Sequence, residues 1–157
     1  MKLIKAPNND RIIREMFSAQ ARVFVAGGIS NCPDWQEEFT DKFTEYGDHL
    51  VMYNPRRNDF DITNPNMSSE QIEWEYGRID ESNHMVFWFP EETLCPITLF
   101  ELGVASQNCH VLYVGCHPNY ARKFDVVKQL SLSRPYVKVV FSLDELAQQL
   151  KDSLDIY

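Results

Sequence analysis

Two glutamates carry the first chemical signal in this chain. Glu101 stands in Pro96-Ile97-Thr98-Leu99-Phe100-Glu101-Leu102-Gly103, a stretch with a helix-starting proline and a single charge. Successive helical residues step about 100°, so the spacing predicts that Ile97, Phe100, Glu101 and Val104 share one buried face. An ionised carboxylate on such a face costs on the order of several kcal/mol unless something pairs with it. Glu101 therefore has a structural salt-bridge partner or a chemical task, and the residue alone does not say which. Glu75 is the second. It lies beside an expected inward face made by Ile72, Tyr76 and Ile79, so another carboxylate is aimed at the same interior.

The elements around these residues indicate how they are positioned. Arg22-Val23-Phe24-Val25-Ala26 is a nearly continuous apolar run, the pattern of a strand covered on both faces in a parallel sheet. It ends at Gly27-Gly28, where the backbone can turn sharply and a ligand can approach it closely. Pro33 opens a helix carrying Trp35, Phe39 and Phe43 at four-residue spacing, stopped by Gly47. A strand over residues 49–53 leads into Asn54-Pro55-Arg56-Arg57, whose guanidinium groups are either solvated surface charges or a fork for a phosphate or carboxylate. The polar loop over 61–67 is long enough to act as a lid. Ser68 and Gln71 form a capping box for a helix to about Ser82, in which Asp80 stands at the end that the dipole makes unfavourable for a carboxylate. Strands follow at 84–89, 111–114 and 137–141, with helices from Pro96, over 120–131, and after a Ser142 cap with Leu143, Leu146, Ala147 and Leu150 as packing stripe.

This alternation predicts an α/β domain with a parallel sheet of about five strands. Ligands in such sheets bind outside the carboxyl ends of the strands, near the switch in strand order. Gly27-Gly28, the arginine loop and the turn before Glu101 all fall at that edge.

Composition narrows the partners. At 157 residues the chain is read as one domain, with residues 1–20 an extension of unclear role and 11–17 a short helix within it. Fifteen basic against 23 acidic residues, a net charge of −8, argue against a nucleic-acid polymer as ligand. No apolar run is long enough for a transmembrane helix and the start lacks a signal-peptide core, so a soluble cytoplasmic protein with reduced thiols is expected. Cys109-His110 and Cys116-His117 resemble a duplicated metal pair, yet the extended segment between them holds them roughly 23 Å apart, too far for one tetrahedral site. No metal and no cofactor are expected.

Two inward carboxylates at the mouth of an α/β sheet suit glycosyl transfer, in which positive charge develops on the sugar carbon. One attacks or stabilises that carbon; the other binds the leaving group or a hydroxyl and passes a proton. Glu101, in the first two turns of its helix, is expected to be ionised by the dipole. Trp74 and Tyr76 beside Glu75 offer a ring for stacking on a base. A nucleotide-binding module without turnover is the competing reading, carried by the glycine turn and the arginines. A receiver or flavin-binding domain lacks its acidic cluster or Ser/Thr-Gly-rich loop here.

Val23-Phe24-Val25-Ala26-Gly27-Gly28-Ile29-Ser30, Asn54-Pro55-Arg56-Arg57, Gln71-Ile72-Glu73-Trp74-Glu75 and Phe87-Trp88-Phe89-Pro90, followed by the Pro96 to Gly103 stretch, together resemble the nucleoside 2-deoxyribosyltransferase-like family. The resemblance implies a flavodoxin-like, Rossmann-like three-layer fold, homo-oligomeric assembly and a small nucleoside or nucleotide substrate. By motif position it implies that Glu101 is the nucleophile, through a covalent deoxyribosyl intermediate, with Glu75, or else Asp80, in place of the family's aspartate on the second helix. The turn before the nucleophile has Glu91, Glu92 and Thr93 where the family often has another aspartate. Gly27, Gly28, Asn54, Arg56, Arg57, Trp74 and Asp80 are the expected substrate-binding residues, and either arginine would favour a 5'-monophosphate.

Overall fold

The computed structural model describes residues 1–9, 21–108 and 110–154. The expected helix at 11–17 and Cys109 lie outside them. The described chain forms β1 (Lys2–Lys5), β2 (Ala21–Gly27), α1 (Trp35–Asp41), a 3₁₀ segment (Thr44–His49), β3 (Leu50–Asn54), α2 (Pro65–Glu81), β4 (His84–Phe89), α3 (Pro96–Ala105), β5 (Val111–Cys116), α4 (Lys123–Ser133), β6 (Val139–Val140) and α5 (Leu143–Leu154).

The strands make one six-stranded sheet in the order β1-β3-β2-β4-β5-β6, parallel at every pairing. The five-strand expectation misses β1. Its four residues, Lys-Leu-Ile-Lys, are too short and too charged to announce a strand, yet they pair with β3 from Lys2 opposite Val51 to Lys5 opposite Asn54. Without β1 the order is the flavodoxin-like one, reversing direction between β2 and β4.

Strand alternation divides the core into two layers. Val23 and Val25 face Trp35, Phe39 and Leu146 on the α1 and α5 side. Phe24 and Ala26 face Trp74, Leu102 and Leu130 on the side of α2, α3 and α4. The three-layer architecture is thus as expected. Helix α2 starts four residues earlier than the Ser68 box implied, because Asn64 caps it, accepting from the backbone N–H of Asn66 at 3.1 Å and Met67 at 3.3 Å, with Pro65 in the first turn. Ser142 does cap α5, its Oγ accepting from Glu145 N at 3.2 Å. His110 and His117 stand at opposite ends of β5, as the extended separator required.

The helices flanking the strand-order reversal correct the expected faces. In α3, Ile97 and Phe100 are 65% and 70% exposed and Val104 is exposed too, while Thr98, Leu102 and Ala105 pack on the sheet. In α2, Ile72 and Tyr76 are exposed, Ile79 is half-buried, and the inward residues are Gln71, Trp74 and Arg78. Both apolar stripes point outward, and each glutamate sits between stripe and sheet.

Candidate active site

A cavity of about 470 Å³ opens at the carboxyl edge, between the ends of β2 and β4 and the first turns of α2 and α3. That volume suits a small organic ligand. Its floor is the turn after β2. A Cβ on Gly28 would come within 2.7 Å of Thr93 Cγ2, 2.8 Å of Pro90 Cγ and 3.0 Å of Cys95 Sγ, so only glycine lets this turn close against the turn after β4. The Gly28 carbonyl accepts from Trp35 Nε1 at 2.8 Å and Gln36 Nε2 at 3.1 Å, which fixes the floor to α1. Cys95, just before α3, takes a left-handed conformation (φ 48°), uncommon for a residue with a Cβ and found where a turn must be tight. It aims α3 so that Glu101 reaches the cavity.

Glu75 and Glu101 face this one cavity from two helices. Gln71, one turn before Glu75, donates from Nε2 to Glu75 Oε1 at 2.8 Å. Burial raises the Glu75 carboxyl above the ordinary carboxylate range and the Gln71 bond works against that rise. Glu101 has no such donor among the described residues. Burial first, and the Glu75 charge second, push it up to about 8. The helix dipole does not keep it ionised as expected, because Glu101 is the sixth residue of α3, beyond the turn where that field acts. Burial thus disfavours the charged form of both carboxyls, and of Glu101 the more.

The other expected residues separate into those the fold brings to the cavity and those it does not. Gly27, Gly28 and Arg57 line it. Arg57 is not a free fork, however: it bonds Asp59 Oδ1 at 2.9 Å and Glu70 Oε2 at 2.7 Å. Arg56 turns away. Its guanidinium donates to the carbonyls of Cys32 at 2.8 Å and Pro33 at 2.9 Å and to Gln36 Oε1 at 2.9 Å, which ties the loop after β2 to the end of β3. Asn54 is buried and accepts from Arg56 N at 2.9 Å, so it shapes that loop and does not reach the ligand space. Trp74 packs against Phe24 and donates to the Asn8 carbonyl at 2.7 Å, a core role and not a stacking platform. Asp80 is exposed and outside the cavity.

Sequence reasoning missed the apolar walls from Phe60, Ile62 and Ile97, the hydroxyls of Ser30, Thr93 and Thr98, and the amide of Gln71. Phe60 comes from the end of the arginine loop and Ile62 from the polar loop read as a lid, where two apolar residues among Asn and Asp were the available signal. Gln71 was read only as a capping residue. Its place one helical turn before Glu75 was the overlooked sign.

A family profile described as nucleoside 2-deoxyribosyltransferase like matches residues 20–120, well over half of the chain. The chain belongs to the nucleoside 2-deoxyribosyltransferase-like family. No curated protein matches the sequence. The matched span of this deoxyribosyltransferase-like chain runs from β2 past β5 and so holds both glutamates and every described wall of the cavity. Membership suggests deoxyribosyltransferase-like chemistry on a small nucleoside. Among the described residues, no helix is long and apolar enough to cross a membrane.

Proposed function

We propose that the protein breaks the N-glycosidic bond of a 2'-deoxynucleoside or its 5'-monophosphate through Glu101, transferring the sugar to a second base or to water. The observation that carries this reading is the pair of carboxyls in one largely apolar cavity, with no cation among the described residues bonded to either. A structural salt bridge, the alternative for Glu101, has no basic partner among the described residues.

The chemistry balances on one proton. The C1'–N bond breaks with its electron pair going to the base nitrogen, which takes the proton held by the carboxyl pair, and a Glu101 oxygen bonds C1'. Water attacking that ester at C1' would leave the hydroxyl on the sugar and return the proton to the pair; an incoming base N–H would do the same with a new C1'–N bond. A substrate filling this largely apolar cavity would displace its water and keep the charges of this step strong. The free nucleoside fits the walls better than the monophosphate. Arg57 already answers Asp59 and Glu70, so a phosphate would enter beside two carboxyls without a cation of its own.

Assembly as a homo-oligomer is part of this reading. Ile72 and Tyr76 on α2 and Ile97, Phe100 and Val104 on α3 form exposed apolar surface flanking the cavity mouth, the kind that marks an interface. Cys32, Cys95 and Cys116 are unpaired thiols, which fits a reducing cytoplasm.

Incubation of the purified protein with deoxynucleosides and a second base, followed by product analysis and mass spectrometry of a sugar adduct, tests the proposal. Exchanged or hydrolysed product and an adduct on Glu101 are expected. Activity that survives Glu101→Ala sinks the assignment.

A further inference from the structure

Gln71 is 7% exposed and its amide is committed on both sides of the nitrogen. Nε2 donates to the Pro55 carbonyl at 2.8 Å as well as to Glu75 Oε1 at 2.8 Å. A backbone carbonyl only accepts, at every pH. The Pro55 oxygen therefore fixes which end of the amide faces Glu75, and that end is a donor whatever the state of the carboxyl. Reversing the amide would place its oxygen against the Pro55 oxygen. Gln71 Oε1 meanwhile is buried without a hydrogen-bond partner, so the orientation is held even though it leaves an acceptor unserved. A fixed donor stabilises the ionised carboxylate against the neutral acid. Glu101, across the same cavity, receives no donor from any described residue.

We propose that Gln71 is a positioning residue that holds Glu75 as the ionised member of the carboxyl pair, so that the proton of the resting site sits on Glu101. Its catalytic consequence rests on the glycosyl-transfer reading above. Groups able to disturb the assignment are few. Apart from the pair itself, the titratable or charged residues on the described walls are Cys95, from the turn after β4, and Arg57, from the loop after β3. The Cys95 thiol is pushed up to about 12, chiefly by burial, and stays neutral. Arg57 is bonded to Asp59 and Glu70. Burial raises both carboxyls; the Gln71 bond works against the rise at Glu75, and no such bond opposes it at Glu101. Arrival of substrate would then arm the nucleophile. The proton leaves Glu101 for Glu75, and from there goes to the departing base nitrogen, which receives the C1'–N electron pair as the Glu101 oxygen forms its bond to C1'.

The test reads the ligand-free protein. Carboxyl carbons of ¹³C-glutamate-labelled protein are titrated by NMR and assigned with Glu75→Gln and Glu101→Gln. In the unaltered protein the lower step is expected at Glu75 and the upper at Glu101. Gln71→Met keeps the side-chain length and removes the donor. The lower step then moves up by about one pH unit or more toward an upper step that stays in place, because Glu75 is already ionised where Glu101 titrates, and the acid limb of kcat/KM follows the lower step. In a Glu75→Gln background Gln71→Met leaves the Glu101 titration in place. A pair whose steps do not converge in Gln71→Met, or an unaltered protein with Glu75 protonated and Glu101 ionised at pH 7, overturns the proposal; the second measurement decides even if the Met variant does not fold. Absence of turnover on deoxynucleosides would defeat the catalytic reading alone, since the titration needs no substrate.

Discussion

The two charge clusters bordering the cavity are built on opposite terms. On the loop side, Arg57 meets Asp59 at 2.9 Å and Glu70 at 2.7 Å, so each charge there has an opposite neighbour. On the helix side, Glu75 has one amide hydrogen from Gln71 and Glu101 has the Glu75 charge nearby. Paired charges lower their own energy and hold a loop in place; unpaired carboxyls raise their energy and wait for a ligand to settle the proton. The comparison predicts that substitutions on the helix side damage turnover while the protein gains stability, and that substitutions on the loop side damage stability first.

Glu101→Gln gives the largest separation. A loss of turnover on the order of 10⁴-fold or more is expected, as for removal of a covalent nucleophile, and Glu75→Gln should cost about 10²–10⁴-fold as a lost acid/base partner. Equal small losses from both would place the chemistry elsewhere.

The same substitution should stabilise the empty protein in alkali. Glu101 titrates at about 8 in the folded protein, against about 4.3 when unfolded. The folded state thus binds the extra proton in that interval, and stability falls as pH rises through it. The cost is absent below about pH 4 and complete above about pH 8. Glu101→Gln removes it, with an expected gain of about 2–4 kcal/mol at pH 9 and nearly none at pH 4, allowing for water in the open cavity. Thermal unfolding at the two pH values checks this, and an equal gain at both would remove the uncompensated charge from the account.

Arg57→Met tests the paired side. A loss of about 1–2 kcal/mol is expected, because its partners are exposed and can be rehydrated; denaturant unfolding measures it, and a collapse of turnover with unchanged stability would reverse the comparison. Trp74→Phe lies outside both clusters. Losing its bond to the Asn8 carbonyl, which also faces Arg78 Nη2 at 3.3 Å, should cost about 1 kcal/mol and leave KM for the base untouched. A raised KM would return Trp74 to the stacking role expected of it at first.

How far the chain could be read without coordinates follows from what hydrophobic patterns encode. Strands such as Val23 to Ala26 and His84 to Phe89 are buried on both faces, so their apolar runs announce them directly. An amphipathic stripe announces only that one face of a helix avoids water. Ile72 and Tyr76, with Ile97 and Phe100, satisfy the periodicity, but the sheet is covered by Trp74 and Leu102 on the neighbouring face. The glutamates were found through the wrong face because each lies at the border of the two. Arg56 and Arg57 look alike in sequence, and what separates them is a set of backbone carbonyls at Cys32 and Pro33 that no side-chain pattern contains. Likewise β1 depends on an edge offered by β3, a long-range partner its own four residues cannot reveal.

Every described wall of the cavity lies between Phe24 and Glu101. From Leu102 onward, β5, α4, β6 and α5 extend the sheet and cover its face without touching the ligand space. Drift in β5, α4, β6 and α5 is therefore filtered by folding, whereas drift in the earlier span is filtered by folding and recognition together. A library meant to change which base or sugar is accepted belongs in the loop and helix turns before Glu101, and the later segment is the place to recover any robustness such changes remove.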